Sequence, residues 1–229
     1  MTSEFKGFGP ALRFLEDLAE NNERAWFEEN KARYEADVRE PARAFVRAMA
    51  PRLAKVSRQF LADDRKVGGS IMRIHKDVRF AKDKTPYKTN LGIQFRHRTG
   101  KDVHAPGLYV HIQPGTMFLG AGMWRPEPEA LQGLRAAIAA SPSKWRKVVD
   151  DPALLRHWRQ AGAALKRPPR GFDANHPLIE DLKRTDFILD APVKLAEAKS
   201  ARLVAVVADA FALTAPYLRF QCSALKIDF

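Results

Sequence analysis

The sequence predicts an α+β fold, one antiparallel sheet of about four strands within residues 69–124 packed on helices that precede and follow it. Three observations predict it. Large apolar side chains in residues 1–68 recur at helical steps of three, four or seven. Residues 69–124 switch to two-residue alternation broken by turn signals, and residues 125–229 return to helical spacing. At 229 residues, 45% hydrophobic and 29% charged, the chain suits a single globular domain, 1–229. A chain of this size buries roughly 70–75% of its unfolded surface, so it folds without disulfides.

In the helical N-terminal part, 1–68, Gly9-Pro10 opens a first helix striped by Phe14, Leu15 and Leu18. Asn21-Asn22 reads as a stop and N-cap pair. Phe27, Tyr34, Val38, Phe45, Met49, Leu53, Val56 and Phe60 then continue the helical period as a core stripe. Pro41 and Pro51 interrupt it, giving two or three helices or a kinked one. Asn21, Asn22 and Asn30 are polar groups available to face the sheet.

Gly68-Gly69 leads into the β-meander, 69–124. In a strand over 70–80, Met72, Ile74, Val78 and Phe80 share an apolar face, while Arg73, His75, Asp77 and Arg79 share the other. A basic turn, 81–90, carries Lys82, Asp83, Lys84 and Lys88. A second strand over 89–98 points Leu91, Ile93 and Phe95 inward and Asn90, Gln94, Arg96 and Arg98 outward. After a loop, 97–107, a third strand over 108–113 alternates Leu108, Val110 and Ile112 with Tyr109, His111 and Gln113. Pro114-Gly115 turns into a fourth over 116–124, with Met117, Leu119, Ala121 and Met123 inward and Phe118, Gly120, Gly122 and Trp124 outward. The outer face thus gathers Arg73, Arg79, Gln94, Arg96, Tyr109, His111 and Trp124 with glycine at 92, 120 and 122. Glycine inside a strand marks close approach of a ligand or backbone, or a bulge; a plain solvated face is the competing reading.

In the helical C-terminal part, 125–229, Leu131, Leu134 and Ile138 stripe a helix over 126–140. Ser141-Pro142 opens another around Trp145, Val148 and Val149, and a short amphipathic piece holds Leu154, Leu155 and Trp158. Residues 165–177, with Lys166, Arg167 and Arg170, form a loop that is either a lid or a connector. Phe187–Leu189 reads as a short strand, and 192–220 as one long central helix through Leu203, Val206, Val207, Ala210 and Phe211.

The net charge is +12 and the pI about 10.0. Residues 65–104 hold eleven Lys and Arg against three Asp, two thirds of that excess. Concentrated positive charge steers anions, so nucleic acid, phosphorylated metabolites and anionic lipid are compatible partners, beside a merely basic surface. One cysteine, Cys222, gives no disulfide framework and favours a reducing compartment. The N-terminal residues lack a signal-peptide h-region, and the longest apolar run, 203–215, is too short to span a bilayer, so the expected location is cytoplasmic with no membrane partner.

The standard catalytic and nucleotide motifs are missing. There is no Gly-Lys-Ser/Thr phosphate loop, no HExxH helix and no GxSxG elbow, and Gly120-Ala121-Gly122 lacks a dinucleotide fold's third glycine. No spacing gathers His75, His104, His111 and Asp77 as metal ligands, so no metal and no cofactor are expected. What is present suits an anion. Arg73, Arg79 and Arg96 offer planar guanidinium forks, joined by Lys82, Lys84 and Lys88. Tyr109, Phe118 and Trp124 offer stacking surfaces. Asp77 reads as the ion-pair partner that orients the neighbouring arginines; with His75 it is also the candidate catalytic pair.

The run Arg73-Ile74-x-x-Asp77-Val78-Arg79-Phe80-x-Lys82-Asp83-Lys84-x-Pro86-Tyr87-Lys88 resembles the signature of the uncharacterised family catalogued as domain of unknown function 2461. Asn21-Asn22-x-x-x-Trp26-Phe27, Gly120-x-Gly122-x-Trp124-x-Pro126 and Pro169-x-Gly171-Phe172 extend the resemblance along nearly the whole chain. It implies a stand-alone α+β protein, mostly bacterial with fungal relatives, and it implies no activity.

Three functional expectations follow. The first is a binding module for a phosphate-bearing or other anionic ligand, nucleic acid included, with Arg73, Arg79, Lys82, Lys84, Lys88, Gln94, Arg96, Tyr109, His111 and Trp124 as its contacts. The second is an enzyme acting on a small anionic substrate with His75 and Asp77 at the chemistry, and the third is a protein-interaction module using the same face. No motif sets an oligomeric state.

Overall fold

A computed structural model describes residues 4–79, 81–100 and 104–229. Phe80, expected on the apolar side of a strand, and residues 101–103 of the expected loop lie outside them. Helix α1 (Gly9–Glu20) begins at Gly9-Pro10, where a missing N–H costs nothing, and buries Ala11, Leu12, Phe14, Leu15 and Leu18. It ends where the Asn21 side chain donates to the Asp17 carbonyl at 2.9 Å. Helices α2 (Arg24–Glu29) and α3 (Lys31–Tyr34) lead through a π-helical turn (Glu35–Arg39) into α4 (Glu40–Val56). Pro41 has no N–H to give the preceding turn, and the ladder widens there, with the Glu40 N–H reaching back to the Glu35 carbonyl. Pro51, expected to interrupt as well, sits inside an unbroken α4.

Five strands among the described residues form one antiparallel sheet in the order β1-β2-β3-β5-β4. These are β1 (Leu91–Arg96), β2 (Gly107–Gln113), β3 (Thr116–Met123), β4 (Arg159–Ala161) and β5 (Phe187–Pro192). The alternation read from residues 91–123 is observed: Ile93, Val110 and Leu119 are in register and fully buried, as are Phe95 and Leu108. Phe45 of α4 meets Phe95 at 6.5 Å between ring centroids, and Phe211 meets it from another helix at 6.2 Å. Burial of rings this size is a main source of stability, roughly 1.5–3 kcal/mol for each large apolar side chain. The strand β5 is longer than expected and joins the sheet beside β3; β4 was not expected.

Over residues 70–79 the expected first strand is not formed. Only Ile71 bridges to Ile93, with the Met72 N–H donating to the Gly92 carbonyl at 2.9 Å and the Gln94 N–H to Ser70 at 2.8 Å. The chain then leaves the sheet and doubles back as an irregular hairpin closed by a His75–Tyr87 bridge and by the Lys88 N–H on the Ile74 carbonyl at 2.8 Å. Its base is captured by the N-terminal helices. The Asn22 side chain donates to the Tyr87 carbonyl and accepts from the Tyr87 N–H, both at 3.0 Å, and Phe27 stacks on Tyr87 at 4.1 Å. Ile74 is buried there, whereas Met72 stands on the outer sheet face, opposite to its expected side.

The C-terminal part holds α5 (Pro128–Ala140), α6 (Pro142–Val149), α7 (Pro152–Leu155), α8 (Ile179–Leu182), α9 (Leu195–Ala198), α10 (Leu203–Leu213) and α11 (Ala215–Ala224). The single long helix expected over 192–220 is thus three. Thr214, whose hydroxyl donates to the Phe211 carbonyl at 2.8 Å, and Pro216 in the first turn of α11 break the last two apart. Among the described residues no single helix is long and apolar enough to cross a membrane.

Candidate functional site

Register fixes what the outer sheet face carries, because directly opposed residues point to one side. One row reads Gly92, His111, Phe118, Pro192; the next Gln94, Tyr109, Gly120, Asp190, Arg159; the third Arg96, Gly107, Gly122, Ile188, Ala161. Glycines interrupt every row. A side chain at Gly92 would meet the Tyr109 hydroxyl at 2.9 Å and the Met72 sulfur at 3.0 Å, so this glycine makes room for the phenol ring to lie over β1. Gly120, opposite Tyr109, stays partly exposed, and Gly122 is buried. The result is a groove of about 380 Å³ floored by Gly107, Gly120 and Gly122 and walled by Met72, Phe118, Trp124 and Ile188, with Gln94, Tyr109 and Asp190 as its polar side chains.

The walls are held from behind. The Tyr109 hydroxyl donates to His111 Nδ1 at 3.0 Å, and His111 Nε2 donates to Gln113 Oε1 at 3.1 Å. The imidazole also stacks on Phe118 at 4.5 Å. Burial pushes the Tyr109 phenol up to about 12, so it stays protonated and acts as a donor and a wall. Trp124, 43% exposed, has the Arg125 guanidinium over its ring at 4.6 Å and His104 stacked near it at 6.1 Å. Arg125 takes a left-handed φ of 47°. The buried Asp186 carboxylate holds that turn by accepting from the Arg125 N–H at 2.7 Å, and it accepts from the Ala163 N–H at 2.7 Å.

The hairpin uses many of its charges internally, though, among the described residues, not those of Arg73 and Lys82. Arg79 donates to Asp77 at 2.9 and 2.7 Å, which holds the Asp77 carboxyl down at about 2 and makes it a weak base at neutral pH. Lys76 donates to Asp83 at 2.8 Å, Lys84 to the Val78 carbonyl at 2.9 Å and Lys88 to the Arg73 carbonyl at 3.0 Å. Burial and the neighbouring Arg73 charge lower the Lys88 ammonium's pKa. The His75 ring lies against Tyr87 and Phe27 at 5.2 and 6.2 Å.

Of the residues selected from sequence, Gln94, Tyr109 and Trp124 line the groove, His111 supports it, and Arg96 stands at the β1 end of its third row. Arg73, His75, Asp77, Arg79, Lys82, Lys84 and Lys88 lie on residues 73–88, off the sheet, because only residues 70–72 bond to β1. Met72, Gly107, Ile188 and Asp190 complete the groove and were missed. The alternation of Phe187, Leu189 and Ala191 with Ile188 and Asp190 was the available signal for β5. The loop 165–177 contributes no residue to the groove lining. Among the described residues the fold gathers no group of three or more His, Cys, Asp or Glu suited to a metal ion.

A family model described as a conserved hypothetical protein, DUF2461, matches residues 10–220. No curated protein and no solved structure matches the chain.

Proposed function

The chain belongs to the DUF2461 family of conserved hypothetical proteins, and we propose that its groove binds the planar ring of a phosphate-bearing ligand, a nucleotide free or within a single strand. The observation that carries this reading is the glycine-floored groove of about 380 Å³ between aromatic and thioether walls. A size of this order is common for small-ligand sites, and a flat backbone floor accepts a flat ring. The chain's charge of +12 favours an anion. Arg125 covers Trp124, so a guanidinium stands beside the groove's aromatic wall.

Binding is favoured over acid–base catalysis because the titratable groups are set for other roles. Tyr109 is held protonated, and Asp77 is held ionised by Arg79. The test is a titration of fluorescent nucleotides and single-stranded oligonucleotides across a salt series, with Gly120→Leu beside the wild type. A Cβ at position 120 meets nothing closer than Tyr109 Cβ at 3.4 Å, so this position takes a side chain on the groove floor without a backbone clash at its Cβ. We expect binding that weakens with salt and falls roughly 10-fold or more in Gly120→Leu at an unchanged melting temperature. Salt-sensitive binding that survives Gly120→Leu would reduce the interaction to general basicity and overturn the groove reading.

A further inference from the structure

We infer that Asp190 makes the groove selective for a guanine-type base, a ring whose edge carries an N–H beside an amino group. The inference rests on the groove reading above and names its ligand class. Asp190 is half-buried on β5 and lines the groove directly opposite Gly120, where the missing side chain leaves the space before the carboxylate open. Among the described residues its carboxylate has neither a hydrogen-bond nor an ion-pair partner. Five other carboxylates with donors nearby are engaged: Asp63 by Arg65, Asp64 by Arg47, Asp77 by Arg79, Asp83 by Lys76 and Asp186 by two backbone N–H groups. Asp181, also half-buried, shares Asp190's lack of a partner but lies outside the groove. Even Arg159, the neighbour of Asp190 on β4, turns its guanidinium to the Leu155 and Trp158 carbonyls instead.

An ionised carboxylate only accepts, so whatever lies against Asp190 must donate. A cationic ligand would supply donors, but it works against the +12 charge and against Arg125 over the groove's own Trp124. The donors therefore belong to a neutral part of an anionic ligand. A guanine edge offers two parallel N–H groups, matched to the two oxygens of one carboxylate. Adenine sets a ring-nitrogen lone pair beside its amino group, which would face a carboxylate oxygen. Hypoxanthine keeps the ring N–H and lacks the amino group.

The experiment is competition of GMP, IMP and AMP against ribose-labelled fluorescent GMP on the intact chain, for the wild type, Asp190→Asn and Gly120→Leu. GMP should bind roughly 10- to 100-fold tighter than IMP or AMP, the range for one or two hydrogen bonds to a charged group. Asp190→Asn should abolish the preference for GMP, weakening GMP at an unchanged melting temperature. AMP, whose edge an amide meets with one acceptor and one donor, should bind that variant as well or better. AMP or IMP matching GMP in the wild type, or a preference retained in Asp190→Asn, overturns the inference. If binding is indiscriminate yet lost in Gly120→Leu, the groove reading stands and only the guanine selectivity falls. If no nucleotide binds, both fall.

Discussion

The hairpin of residues 73–88 and the outer face of the sheet are both rich in polar side chains, and they use them in opposite ways. The hairpin has few backbone bonds of its own among the described residues, so Lys84, Lys88, Asp77, Asp83 and Asn22 supply hydrogen bonds to backbone groups that a strand ladder would have made. On the sheet the ladder satisfies the backbone, and side chains such as Gln94 and Asp190 stand in the groove. Charge density and the groove therefore fall on different halves of this region. Where the backbone is irregular, charges hold the fold; where it is regular, polar side chains need not serve the backbone.

The sharpest test of the contrast is within the sheet's own floor. Gly122 has φ +120°, and a Cβ there would sit 2.1 Å from the Phe187 carbonyl oxygen, while Gly120 has ordinary space. Gly122→Ala should cost about 3 kcal/mol or more in urea unfolding, and Gly120→Ala less than about 0.5 kcal/mol. Equal shifts would show that the groove floor is not built on this one strained contact. Next in size is Asn22→Ala, which leaves both backbone groups of Tyr87 without their partner. It should cost about 2 kcal/mol and speed amide exchange across residues 74–88, with the amides of β2 and β3 and nucleotide affinity unchanged. Faster exchange throughout the sheet would deny the hairpin its independence.

The smallest effect is on pH. Hydrogen bonds from Arg79 hold the Asp77 carboxyl down at about 2, and Lys76 likewise lowers that of Asp83. A carboxylate depressed in the folded state stabilises it above its unfolded value of about 3.9, and that contribution fades as pH falls through the folded value. Amide exchange in the hairpin should therefore rise between about pH 4 and pH 2 while the sheet stays protected, and added salt should blunt the change because both carboxylates are exposed. Protection lost from sheet and hairpin together would break the distinction.

By itself the sequence determined the α+β class, the helices striped by Phe14 and Phe45, and β1, β2 and β3 with their buried and open faces. Those follow from local periodicity, which a chain records in its own order of residues. It placed Gln94, Tyr109 and Trp124 on the open face for the same reason. Tertiary structure alone decided the rest. The alternation of Met72 to Arg79 is that of a strand, but pairing needs a partner along its length, and Asn22 and Phe27 draw Tyr87 and its hairpin aside after Ile71. Asp190 entered the groove only because β5, sixty-odd residues further on, pairs with β3. No local pattern encodes which strand becomes whose neighbour, since that choice is set by how helices and sheet bury their apolar faces against one another.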